Sequence, residues 1–238
     1  MLSNEQASQK FASALIVGAG PGLSASLARA LSGDGLKIAL AARTPDDLAE
    51  LAGETGAQRF ACDASRREDV ERLFQELDRA FGAPEVVIYN AGYRIRGPFA
   101  ELDPAGVEKT LAVSAFGGFL VAQQAVRRML PKGRGAILFT GASASIKGYA
   151  ESAPFAMGKF ALRGLAQSMA RELSPRGIHV AHVVIDGGIR SEKRPEIADK
   201  PDSLLDPDAI AQSYLHLIRQ PRSAWTWEIE VRPWMERF

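Results

Sequence analysis

Lys159 closes the run Phe155-Ala156-Met157-Gly158-Lys159, and on a helix the first and last of these positions lie one turn apart on one face. A lysine amine can grip hydroxyl groups or hold a proton. The ring beside it can do neither, because phenylalanine lacks the phenol with which a tyrosine protonates a developing alkoxide. A second telling group lies near the start of the chain, where Val17-Gly18-Ala19-Gly20-Pro21-Gly22-Leu23-Ser24 leads from an apolar run into a helical one. Glycines there permit a tight turn and close backbone approach, while free amides and the helix dipole attract a pyrophosphate. The third glycine falls at position 22, so the spacing is not Gly-x-Gly-x-x-Gly. Arg43 follows the next apolar run and is open to two readings: a partner for a ribose 2′-phosphate, or a solvated charge at a strand end.

The elements that must carry these groups are legible in the apolar pattern. Short apolar runs at Ser13 to Val17, Lys37 to Ala41, Gln58 to Ala61, Val86 to Tyr89, Ala136 to Thr140, His179 to Ile185 and Trp227 to Val231 read as seven strands buried on both faces. Between them lie segments of helical spacing, such as Val70, Leu73, Phe74, Leu77 and Phe81. Repeated strand–helix units predict an α/β fold, a Rossmann-like doubly wound parallel sheet of seven strands with helices on both faces. Gly33-Asp34-Gly35 closes the first helix, Pro104 opens another, and Pro131-Lys132-Gly133 ends a long one. Residues 187–207 lack a pattern and hold Pro195 and Pro201, which makes them a candidate mobile lid.

Composition narrows the class. A chain of 238 residues that is 46% hydrophobic suits a single domain spanning residues 1–238. Its 29 basic and 28 acidic side chains nearly cancel, so nucleic acid and anionic membranes are not expected partners. Cys62 is the one cysteine, at an expected buried strand end; it excludes an internal disulfide and a Cys-rich metal cage and fits a reducing compartment. The first ten residues do not resemble a signal peptide, and no stretch of about 18 consecutive apolar residues occurs, so a cytoplasmic location is expected and no metal is.

In order along the chain, these motifs resemble those of the short-chain dehydrogenase/reductase family. Gly18-x-x-x-Gly22-x-Ser24 is similar to its Thr-Gly-x-x-x-Gly-x-Gly turn, with Val17 for threonine and Ser24 for the last glycine. Asp63-Ala64 resembles its pair at the adenine, and Asn90-Ala91-Gly92 matches its Asn-Ala-Gly turn. The resemblance implies a cofactor set of Gly18, Gly20, Pro21, Gly22, Leu23, Arg43, Asp63, Ala64, Asn90, Ala91, Gly92 and Lys159. Arg43 in place of an acid favours NADP(H) over NAD(H). The family's Pro-Gly-x-x-x-Thr stands here as Asp186-Gly187-Gly188-Ile189-Arg190-Ser191, which adds Asp186, Gly187, Ile189 and Ser191 to that set. Asp186 is either an acid beside the nicotinamide carboxamide or a turn cap.

Of the family's Asn, Ser, Tyr and Lys, only Lys159 is kept; Ser114, Ala142 and Phe155 stand at the other places, as in an atypical subgroup with phenylalanine for tyrosine. Lysine in this family also grips the nicotinamide ribose, so its retention favours cofactor binding. Ser143 is either a displaced catalytic serine or a hydroxyl that satisfies its turn. Tyr149, ten residues before Lys159, is either a relocated acid or an ordinary loop tyrosine. The resemblance implies reduction of a small carbonyl or conjugated alkene by a homodimer or homotetramer, the alternative being an NADPH-binding protein without turnover. Trp225, Trp227 and Trp234 are expected to complete the core at the last strand.

Overall fold

The computed structural model describes residues 10–235; all but the last of the ten residues read for a signal segment lie outside them. Seven strands form one sheet, β1 (Ser13–Val17), β2 (Lys37–Ala42), β3 (Gln58–Ala61), β4 (Val86–Tyr89), β5 (Gly135–Thr140), β6 (Ile178–Ile185) and β7 (Glu228–Val231). They lie in the order β3-β2-β1-β4-β5-β6-β7, every neighbouring pair parallel. β4, β5 and β6 are buried at every position, which is why their sequences run apolar without alternation.

Helices α1 (Leu23–Gly33), α2 (Ala49–Thr55), α3 (Arg67–Ala80), α4 (Pro104–Leu111), α5 (Gly117–Met129), α6 (Ala153–Leu173) and α7 (Pro207–Arg219) connect the strands. One core layer packs α1 and α7 on the sheet through Leu27, Leu31, Ile210 and Tyr214; the other packs α3, α5 and α6 through Phe74, Leu77, Val121 and Leu162. In α3 the buried side chains are Val70, Leu73, Phe74 and Leu77, the stripe that helical spacing requires. Asp103 caps α4 by accepting from the amides of Ala105 and Gly106, and Asp206 caps α7 through the amide of Asp208, each followed by proline in the first turn.

Residues Pro104–Lys132 form one helical run long and apolar enough, by length and composition, to cross a membrane. Its Leu120, Val121, Ala122, Ala125 and Met129 are instead packed into the second core layer, the place of a flanking helix. A π turn over Ala112–Phe116 interrupts the run. Chain order reverses between β1 and β4, so a crevice opens there at the carboxyl ends of the strands. The loop from Gly187 has no helix before α7; short bridges at Ile189–Leu205, Ser191–Arg194 and Ile197–Lys200 and a clamp from Arg190 to Glu196 and Asp206 organise it.

The expected tryptophan core divides. Trp227 packs against the second core layer and Trp225 stacks on His179 at 4.8 Å, but Trp234 is 77% exposed and takes no part.

Gly117 shows how tightly the central helix lies on the sheet. A Cβ there would stand 2.4 Å from the Tyr89 hydroxyl and 2.6 Å from the Ala64 carbonyl oxygen. Glycine to alanine inside a helix ordinarily stabilises by roughly 0.5 to 1 kcal/mol. Here the overpacking cost, about 1 to 3 kcal/mol, should win. Gly117→Ala is therefore expected to lower the denaturation midpoint, and an unchanged or raised midpoint in urea melts would refute this packing.

Candidate active site

Two clefts meet over the carboxyl ends of β1, β4 and β5, and Asn90 lines both. The first, about 380 Å³, runs from Gly18, Gly20 and Pro21 past Arg43 and Asp63-Ala64 to Asn90-Ala91-Gly92. Gly18 has φ +82°, and the amides of Gly18 and Ala19 both donate to the Ala41 carbonyl, at 2.9 and 3.0 Å. A Cβ at Gly18 would collide with the Ala91 amide nitrogen at 2.4 Å, so this glycine is required by the packing of two loops rather than by the approach of a ligand. Gly20 and Gly22 face open space. No side chain caps α1; the Ala25 and Ser26 amides donate to the Gly22 carbonyl, and those of Leu23 and Ser24, with no acceptor among the described residues, are left to a ligand oxygen.

Ser24 is more than a departure from a motif. Its hydroxyl donates to the Gly18 carbonyl at 3.0 Å and accepts from Asn90 Nδ2 at 2.7 Å, tying the turn to the end of β4. Arg43 makes no ion pair or hydrogen bond with any described residue. Asp63 is oriented from one side, its Oδ1 accepting from the Ser65 amide at 3.0 Å and hydroxyl at 2.6 Å. Cys62 also lines this cleft; burial pushes its thiol up to about 12, so it holds no thiolate for nucleophilic work.

The second cleft, about 360 Å³, is lined by Leu23, Ser143, Tyr149, Phe155, Gly187 and Ile189 among others. Phe155 and Lys159 share a face of α6, with the Lys159 Nζ 5.8 Å from the centre of the phenyl ring. Lys159 is 5% exposed and donates to the Thr140 carbonyl at 2.7 Å; no carboxylate among the described residues pairs with it. Burial alone draws its amine down to about 8. Thr140 is held in turn by the Tyr214 hydroxyl, 2.8 Å from its Oγ1.

Ser114 does not line either cleft. Inside the π turn, its hydroxyl accepts from the Tyr93 amide at 3.3 Å and sits 3.4 Å from the Tyr93 carbonyl, clipping the bent helix to the loop after β4. The Ser143 hydroxyl has no partner among the described residues. It is Ser145 that satisfies the turn, accepting from the Ala142 amide at 3.1 Å and meeting His182 Nε2 at 3.3 Å. His182 Nδ1 lies 3.0 Å from Glu228, which Arg163 grips at 2.6 and 2.7 Å. Ser145-His182-Glu228 has the residue types of a hydrolytic triad, but Ser145 and His182 are both 0% exposed and burial drives the imidazole down to about 4. The chain of bonds positions the loop and touches no substrate.

Lys159 and Gly22, like Ser114, line neither cleft, and two more expected positions fall elsewhere. Asp186 lines neither cleft: it is 2% exposed, and its carboxylate is shared by Lys147 at 3.0 Å and Arg232 at 3.2 Å, a clamp between the loops after β5 and β7. Ser191 pairs backbone to backbone with Arg194, and it is exposed. Sequence reasoning also missed Arg94 and Ser152, both lining the second cleft; the Ser152 hydroxyl is buried with no hydrogen-bond partner among the described residues.

Known proteins match this chain in sequence and fold. The family model described as short chain dehydrogenase matches residues 12–202. An uncharacterised oxidoreductase of Staphylococcus aureus is 26% identical over 226 residues, covering 92% of this chain and 96% of its own. A short-chain dehydrogenase from Rhodopseudomonas palustris superposes with TM-score 0.82 at 35% identity, covering 94% of this chain and 99% of its own. A metagenomic short-chain oxidoreductase solved in complex with NADP superposes with TM-score 0.82 at 27% identity, covering 93% and 97%.

The buried amine of Lys159 makes a pH prediction. The unfolded chain binds a proton there up to the ordinary value of 10.5, the folded chain only up to about 8. Stability therefore rises with pH through that window, and the full penalty is present below it. Relative to Lys159→Met, which cannot titrate, the wild type should gain on the order of 2 kcal/mol between about pH 7 and about pH 10. Denaturant melts of both proteins at the two pH values check this; a pH-independent difference would mean that the amine is solvated.

Proposed function

The chain belongs to the short-chain dehydrogenase family, and from that premise we propose that it binds NADP(H) in the first cleft and reduces a small carbonyl compound or conjugated alkene in the second. The observation that carries this reading is the pairing of an unpartnered Arg43 in the first cleft with a buried Lys159 whose face of α6 also presents Phe155 to the second. The NADP-bound metagenomic relative supports the choice of cofactor.

The residues present fit the dinucleotide. The uncapped amides of α1 and the open backbone at Gly20 and Gly22 suit a pyrophosphate, Arg43 suits a 2′-phosphate, and Asp63-Ala64 and Asn90 to Gly92 border the rest of the cleft. Lys159 would hold the nicotinamide ribose hydroxyls. When bound, the reduced nicotinamide supplies a hydride, and a proton from another source completes the reduction. Phe155 cannot give that proton. Ser143 and Tyr149 line the same cleft with hydroxyls that have no partner among the described residues, and either of them, or water, delivers it. The root of the loop at Gly187 and Ile189 borders this cleft, so residues 187–207 act as its lid.

A second reading, an NADPH-binding protein without turnover, draws on three positions: Phe155 lacks a phenol, Ala142 lacks a hydroxyl, and Ser114 is spent on the Tyr93 backbone. On either reading the chain is one of the atypical members with phenylalanine for tyrosine. Phe116, Phe119, Met157 and Phe160, all more than two-fifths exposed on the α5 and α6 side, form the surface on which two copies associate, as a dimer or a pair of dimers. A reducing, cytoplasmic setting suits the single buried thiol.

Calorimetry with the two cofactors tests the first cleft. NADPH should bind more tightly than NADH by about 1.5 to 3 kcal/mol, and Arg43→Ala should erase the difference. Equal affinities in the wild type would remove Arg43 from its role. NADPH oxidation across ketones, aldehydes and enones tests the second cleft. Phe155→Tyr restores a proton donor one turn from Lys159 and should raise ketone reduction by about a hundredfold. An inert wild type and an inert variant, both binding NADPH, would replace the reductase reading with the second one.

A further inference from the structure

The second cleft carries a cation that no described residue answers. Arg94, four residues past Asn90, lines it with Ser143, Ser152 and Phe155, and its guanidinium carbon stands 4.9 Å from the centre of the Phe155 ring. Arginine stacks on an aromatic face in this way while its donors remain available at the edge of the plane. Arg94 makes no hydrogen bond or ion pair with any described residue. Several other arginines are answered: Arg29 by Glu54, Arg128 by Asp78, Arg163 by Glu228 and Arg190 by Asp206.

The nearest charges make the vacancy sharper. Arg94 is held below its ordinary value first by partial burial and then by Arg96 and Arg194, both of its own sign. Arg194 reaches the same wall from the other side: its guanidinium packs over Gly188, where a Cβ would meet Nη1 at 2.6 Å, between the cleft residues Gly187 and Ile189. Lys147 and Arg232 already share the one buried carboxylate nearby, Asp186. Below them, the Ser152 hydroxyl is 1% exposed and has no partner among the described residues. A cleft with a seated guanidinium, a second one at its rim and an orphaned hydroxyl is complementary to an oxoanion.

We propose that the second cleft selects substrates that bear an oxoanion, a carboxylate or a phosphate, next to the reducible group, and that Arg94, seated on the ring of Phe155, binds it. This rests on reading the second cleft as the substrate site. It also gives Phe155 a function of its own: at the place of the missing phenol, the ring is the platform that sets the plane of the guanidinium.

The test uses the full chain saturated with NADPH and two matched pairs of probes: 2-oxobutanoate against 2-oxobutanamide, and dihydroxyacetone phosphate against dihydroxyacetone. Calorimetry should show the anion of at least one pair binding tenfold or more tightly than its neutral partner, and the pair that shows it identifies the oxoanion. Arg94→Gln should abolish that preference, Arg94→Lys should keep only part of it, and Ser152→Ala should weaken the anion alone. NADPH affinity, titrated first, reports separately on the proposed cofactor site. If NADPH binds but anionic and neutral probes bind alike, or if Arg94→Gln leaves the preference intact, the proposal is overturned. It is equally overturned if Arg94→Gln weakens NADPH itself tenfold, since Arg94 would then belong to the cofactor.

Discussion

Two hydrogen bonds to one serine hydroxyl hold the site together. Ser24 Oγ donates to Gly18 and accepts from Asn90, so the first turn after β1 and the end of β4 become one rigid piece at the point where the sheet reverses its order. Asn90 lines both clefts, and Ala91 leaves no room for a side chain at Gly18. The two clefts therefore keep a fixed relation only while that clip is closed. A hydroxyl serves here because it can donate and accept at once, whereas a glycine in its place would leave the Asn90 amide without this partner.

The other end of the site is built from groups that are buried before they are useful. Lys159 rests on the Thr140 carbonyl, Thr140 rests on Tyr214, and the loop beyond is held by Ser145 and a neutral His182. None of these bonds joins opposite charges, so the low-dielectric interior is tolerated at the cost of a weakened base in Lys159. Besides Lys159, charge is gathered in the buried Asp186 clamp on one side and in the arginines beside the second cleft on the other. This division separates what shapes the site from what would attract a ligand to it.

The sequence disclosed the parts whose meaning is local. The seven strands were placed to within a residue by their apolar runs, although β3 is exposed at three of its four positions and β7 is only partly buried rather than covered on both faces, and the glycine turn was found because only a short, unobstructed backbone can follow β1. Meanings that depend on distant partners were hidden. Gly18 was read as room for a ligand, but its neighbour is Ala91. Asp186 was read as an acid or a turn cap, but Lys147 and Arg232 hold it. Ser143 and Ser145 are two residues apart and indistinguishable in composition, yet only the second meets His182. Trp234 shares its type with Trp225 and Trp227 and shares none of their burial. Arg94 was overlooked because an arginine in a loop carries no pattern, and the ring beneath it is supplied by a distant element, α6.

Cys62 has one more consequence. As the chain's one thiol, buried and held protonated at the floor of the first cleft, it reacts only when that floor is uncovered. The rate at which a thiol reagent consumes it is then a clock for opening of the dinucleotide half of the protein, readable without substrate, label or added mutation, and a ligand that seals the cleft should slow that clock in proportion to its occupancy.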